Sequence, residues 1–126
     1  MKKILLAEDD TFLLDIYQNK FAQSGFDVSI AENGEEAVQK IDEHDYDMVL
    51  LDVMMPKLNG FEVLRKIRNH INPKKSSIPV VMLTNLNQRS DIDQGLELGV
   101  SDYIIKSSLT PSEIVAKINS ICQNQK

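Results

Sequence analysis

The stretch from Val49 to Gly60, VLLDVMMPKLNG, constrains this chain more than any other. Met48, Val49, Leu50 and Leu51 form an unbroken apolar run. A strand that is apolar on both faces belongs in a parallel sheet covered by helices on each side. The run stops at one carboxylate, Asp52. Two methionines and Pro56 follow, and Asn59-Gly60 then signals a turn and a helix start. An acid is therefore expected at the carboxyl end of a buried strand, the edge where open α/β sheets carry ligands and chemistry. On this stretch alone a helix cap or a turn residue is the alternative account of Asp52, and the less favoured one. The other strands decide between the readings.

Taken in order, the chain alternates. Lys3 to Ala7 reads as a buried strand, β1, followed by the acids Glu8-Asp9-Asp10. Leu13, Ile16/Tyr17 and Phe21 fall at helical spacing, with Asp10 or Thr11 as cap and Gly25 as stop. Phe26 to Ile30 reads as β2. Asn33 with Glu36 starts a second helix, with Ala37, Val38 and Ile41 inward. After the Asp52 strand, β3, Asn59 caps a third helix with Phe61, Leu64 and Ile67 inward. His70 to Ser77 reads as a polar loop, Ile78 to Leu83 as β4 ending at Thr84, and Gln88 to Leu98 as a helix stopped by Gly99. Asp102 to Ile105 is β5, ending at Lys106, and Thr110-Pro111-Ser112-Glu113 opens the last helix. Five strands alternating with five helices imply βαβ units and one doubly wound parallel sheet.

Length and composition narrow the class. At 126 residues and 42% apolar content, one globular domain spanning residues 1–126 is expected. No apolar run approaches the ~18 residues of a membrane span, and the short run in MKKILLAEDD ends in acids rather than a cleavage site. The single cysteine, Cys122, allows no internal disulfide and fits a reducing cytoplasm. A net charge of −5 argues against non-specific nucleic-acid binding. The basic segment from Lys57 to Arg89 reads as a solvated face.

Parallel strands end on one edge. Glu8-Asp9, Asp52, Thr84 and Lys106 are therefore expected together. Clustered carboxylates raise one another's pKa unless a cation sits among them. An all-oxygen set suits Mg²⁺, with Mn²⁺ as a substitute. Lys106 adds a positive charge and Thr84 a hydroxyl, which suits stabilisation of a phosphoryl group in transfer. A carboxylate is a competent phosphoryl acceptor, so Asp52 is the expected site of an acyl phosphate.

The segments ILLAEDD, LLDVMMPKLNGFEVLRKIR, VVMLTN and DYIIK, in this order and spacing, resemble the receiver domain of two-component response regulators. The resemblance covers nearly the whole chain. It implies a five-stranded flavodoxin-like sheet of order 2-1-3-4-5. It also implies Asp52 as phosphoacceptor, with Glu8, Asp9, Asp52 and the Met54 carbonyl holding Mg²⁺. Thr84 and Lys106 would contact the phosphoryl group, and Tyr103 would be an aromatic switch on β5. Asp10 lies one place past the acidic pair and reads as a helix-start residue. Four places depart from the family pattern. Asn85 stands where a very small residue is usual, Met54 and Leu86 are bulky where dephosphorylation is tuned, and Ser107 replaces a cis-proline after Lys106.

The resemblance implies a non-enzymatic signalling module with self-catalysed phosphorylation and dephosphorylation. Its donor would be a histidine kinase, a phosphotransfer protein or a small acyl phosphate. Its output would be a downstream protein bound at the α4-β5-α5 face (the helix at 88–98, β5 and the last helix). Either a stand-alone receiver or the receiver portion of a larger regulator is expected. The rival is a Mg²⁺-dependent aspartyl phosphatase, which needs an acid two places past Asp52, where Met54 stands.

Overall fold

The computed structural model describes residues 2–124, and five parallel strands among them form one sheet in the order β2-β1-β3-β4-β5. The elements are β1 Lys3–Ala7, α1 Thr11–Gln23, β2 Asp27–Ala31, α2 Gly34–Glu43, β3 Met48–Leu51 and α3 Gly60–Arg68. A one-turn helix Pro73–Ser76 precedes β4 Val80–Thr84, α4 Arg89–Glu97, β5 Asp102–Ile105, a 3-10 turn Lys106–Ser108 and α5 Pro111–Asn124. This is the flavodoxin-like order expected, with six α-helices among the described residues where five were expected. None of them is long and apolar enough to cross a membrane.

Alternation along the strands divides the core between two faces. Ile4, Leu6, Met48, Leu50, Val81 and Leu83 turn to the side of α1 and α5, where they meet Leu14, Tyr17, Phe21, Ile114 and Ile118. Leu5, Val49, Leu51, Val80 and Met82 turn to the side of α2 and α3, against Ala37, Ile41, Phe61, Leu64 and Ile67. β1, β3 and β4 have a helix layer on both faces, which is why their sequences read as continuous apolar runs.

Local signals set the helix ends. Asp10 caps α1 by accepting from the N–H groups of Phe12 and Leu13 at 3.0 and 3.3 Å. Asn59 and Glu62 exchange hydrogen bonds of 2.9 and 3.0 Å at the start of α3, and Thr110 and Glu113 do the same before α5 at 3.2 and 2.9 Å. The helix at 73–76 corrects the loop expected over 70–77. Asn72 caps it and Pro73 takes the first position, so the start signal was present. Its single turn is too short to show a period. The buried stripe of α1 is Leu14, Tyr17 and Phe21, while Leu13 and Ile16 are only half-buried. Adjacent apolar pairs leave the phase open, and the sheet selects it. β2 starts at Asp27 rather than Phe26, β4 at Val80 rather than Ile78, and α4 runs one residue shorter at each end than expected.

Candidate functional site

Strand register builds the site. Ala7 pairs with Leu51 in the β1–β3 ladder, so Glu8 and Asp52 leave adjacent strands at the same level. The Asp52 N–H extends that ladder to the Ala7 carbonyl at 3.0 Å, and the Glu8 N–H reaches the Ala31 carbonyl on the other side at 3.0 Å. Glu8 is 2% and Asp52 7% exposed, whereas Asp9 is open to solvent. One carboxylate oxygen from each of Glu8, Asp9 and Asp52 lies within 4.8 Å of the others.

Buried acids this close need a compensating cation. Lys106, the first residue after β5, extends along the edge with its side chain 9% exposed. Its Nζ donates to Asp52 Oδ2 at 2.8 Å and to Glu8 Oε1. Burial, followed by the nearby Asp52, pushes the Glu8 carboxyl up to about 7 even though Lys106 pulls the other way. Burial works against the Lys106 ammonium, but its hydrogen bonds with Asp52 and Glu8 outweigh that and raise its pKa.

The loop after β3 wraps Asp52. The Met54 N–H donates to Asp52 Oδ1 at 3.3 Å while the Met54 side chain points to solvent, 63% exposed. α3 starts hard against the same backbone: a Cβ on Gly60 would stand 2.3 Å from the Asp52 carbonyl oxygen, so only glycine fits. Lys57, in the same loop, takes a left-handed backbone with φ 73°.

Thr84 ends β4, fully buried, and its Oγ1 accepts the Leu86 N–H at 3.3 Å. Tyr103 lies half-buried on β5, and its hydroxyl donates to the Leu86 carbonyl at 2.7 Å. The ring lies inward, over Gly95 of α4. A Cβ at Gly95 would stand 3.3 Å from Tyr103 Cδ2, so the missing side chain makes the slot for the ring. Burial, then the negative charges of Asp91 and Asp52, push the Tyr103 phenol up to about 12.

Glu8, Asp9, Asp52 and Lys106 thus converge, with the Met54 backbone bonded to Asp52 and Thr84 holding the adjoining loop. Asp10 stays with its helix. Two features went unread in the sequence. Tyr17, at stripe spacing in the sequence, has its phenol pushed up by burial, with the charges of Lys106, Glu8 and Asp52 acting on it as well. Asn85 accepts the Ser107 N–H at 3.0 Å. The signal for that contact was the N–H that Ser107 has and proline lacks.

A model of the response regulator receiver domain matches residues 4–119. The chain belongs to the response regulator receiver family. The CpxR homolog of Haemophilus influenzae, a transcriptional regulatory protein, is 46% identical over 121 residues, which are 96% of this receiver and 50% of that protein. The alkaline phosphatase synthesis transcriptional regulatory protein PhoP of Bacillus subtilis is 38% identical over 95% of the receiver and 48% of its own length. The receiver therefore spans about half the length of these curated relatives. Among solved structures, a Francisella response regulator receiver domain superposes with a TM-score of 0.89 at 29% identity, covering 100% of both chains.

Proposed function

We propose that this receiver, a single unit over residues 1–126, is a phosphorelay switch working in the cytoplasm and that Asp52 is its phosphoacceptor. The carrying observation is that Asp52 is buried at the end of β3 with Lys106 Nζ 2.8 Å from one of its oxygens. An Asp52 oxygen attacks the phosphorus of a phosphohistidine on a kinase or phosphotransfer protein. A P–O bond forms, the P–N bond breaks, and the electron pair leaves on the imidazole nitrogen, which takes a proton from solvent. Lys106 neutralises charge on Asp52 and the incoming phosphoryl oxygens. The Thr84 hydroxyl, whose oxygen already accepts from Leu86, keeps its proton free to donate.

The donor set fits a hard divalent cation: three carboxylates within 4.8 Å, one of them solvent-exposed, and no sulfur or imidazole among them. Glu8, Asp9, Asp52 and the Met54 carbonyl would hold Mg²⁺, with Mn²⁺ as a substitute. The ion would supply positive charge to the phosphoryl oxygens during transfer. Output would run by Thr84 and Tyr103 to a protein bound at the α4-β5-α5 face. The two regulators above are transcriptional, and a transcriptional output is the reading they support here. Self-catalysed phosphorylation and hydrolysis at Asp52 make this a signalling module rather than an enzyme with a separate substrate.

The test is mass spectrometry after incubation with acetyl phosphate and Mg²⁺. A stoichiometric, base-labile adduct on Asp52 is expected. Steady release of phosphate without an adduct would favour the aspartyl phosphatase reading instead.

A further inference from the structure

The last paired rung between β4 and β5 joins Thr84 to Ile105. Beyond it the two chains turn away, one into Asn85 and the loop before α4, the other into Lys106 and its 3-10 turn. One contact continues the ladder past this rung: Asn85 Oδ1 accepts the Ser107 N–H at 3.0 Å. Asn85 directly follows the buried hydroxyl of Thr84, and Ser107 directly follows the lysine paired with Asp52. The clasp therefore joins the backbones that carry these two groups.

We infer that Asn85 is a positioning residue for Lys106: its side-chain carbonyl fixes the backbone on which Lys106 stands and so holds Nζ between Asp52 and Glu8. A lysine ammonium rides on a flexible stem, and loosening its base spreads its tip over many positions. At its tip Lys106 is held by two carboxylates. At its base it follows directly on the last rung of the strand ladder, and one residue on the backbone is held by Asn85. A small residue at 85 offers no acceptor, and the Ser107 N–H would turn to water. The same loop is tied to β5 a second time by the Tyr103 hydroxyl on the Leu86 carbonyl at 2.7 Å. A shift of Lys106 towards a phosphoryl group and a shift of the loop before α4 are thereby coupled through the Ser107 backbone.

This inference rests on Asp52 as phosphoacceptor, so its test carries one readout that needs no phosphate. Asn85→Ala, Lys106→Ala and the double variant are compared for the initial rate of adduct formation with acetyl phosphate and Mg²⁺. The Lys106 ammonium is followed by ¹⁵N NMR in unphosphorylated protein. Asn85 is exposed, so the folded state should survive its replacement. Loss of one neutral hydrogen bond should slow adduct formation by about 2- to 12-fold where Lys106 is present and leave the rate unchanged where it is Ala. The Lys106 nitrogen signal should broaden in Asn85→Ala and return in Asn85→Asp, which keeps an acceptor oxygen. Equal slowing in both backgrounds, faster phosphorylation of Asn85→Ala, or an unaltered nitrogen signal would each overturn the inference. If the wild type forms no adduct, the phosphoacceptor reading fails, while a signal lost in Asn85→Ala and regained in Asn85→Asp still upholds the positioning role.

Discussion

Asp52 and Glu8 share one ammonium group, and this sets the behaviour of both. Asp52→Asn keeps the shape of the side chain and leaves Lys106 paired with Glu8. Adduct formation should vanish while the melting temperature stays within about 4 °C of wild type, the shift that ~1 kcal/mol produces in a domain of this size. Persistent labelling of Asp52→Asn would move the acceptor elsewhere. Glu8 carries a pH dependence. Its carboxyl titrates near 7 in the fold against an ordinary 4.5, so the folded state binds this proton more tightly than the unfolded chain does. The stability it contributes is complete below pH 4.5 and is lost as pH rises through 7. Urea midpoints of metal-free protein between these limits should fall with pH more steeply for wild type than for Glu8→Gln. Parallel curves would show that folding leaves the proton affinity of Glu8 unchanged.

Among the five longer helices, α4 buries the fewest residues. Its one buried residue is Gly95, whereas α3 buries Gly60, Phe61, Val63, Leu64 and Ile67. Gly95 is packed against Tyr103, yet the helix around it buries little else. Amide exchange should find α4 less protected than α3, since local opening follows the amount of buried apolar contact. Equal protection would mean that the Tyr103 contact alone anchors the helix. The loop before α3 carries a different signature. Lys57 at φ 73° has the strained left-handed backbone, which costs ~1–2 kcal/mol for a residue with a Cβ. Glycine there also adds freedom to the unfolded chain, about 0.4–1 kcal/mol. Lys57→Gly should therefore gain stability by roughly 0.5–1 kcal/mol in a denaturant titration. A loss would show that the lysine side chain contributes more than its backbone costs.

For the whole molecule, a ligand that binds only the folded state stabilises all of it. Mg²⁺ at 100 times its dissociation constant should add about 2.7 kcal/mol, read as a rise in melting temperature that disappears with EDTA and shrinks in Asp9→Asn. Identical melting with and without millimolar Mg²⁺ would count against the acidic cluster as a metal site. The architecture behind that cluster was legible in the sequence. Doubly covered strands leave apolar runs of four or five residues, and each run stops where the chain reaches the solvent edge. Asp52, Thr84 and Lys106 could therefore be placed on one edge from their positions in the chain, as could the helix starts at Asp10, Asn59 and Thr110. What the sequence left open depends on contacts between residues far apart in it. The phase of the α1 stripe rests on which apolar neighbour the sheet can receive. The inward position of Tyr103 rests on the slot at Gly95. Above all, the pairing of Asn85 with Ser107 spans 22 residues. Local patterns report how each segment prefers to fold, because propensity and capping act over a few residues. A hydrogen bond between two loops exists only after the sheet has brought their strands side by side, and that was decided by the tertiary structure.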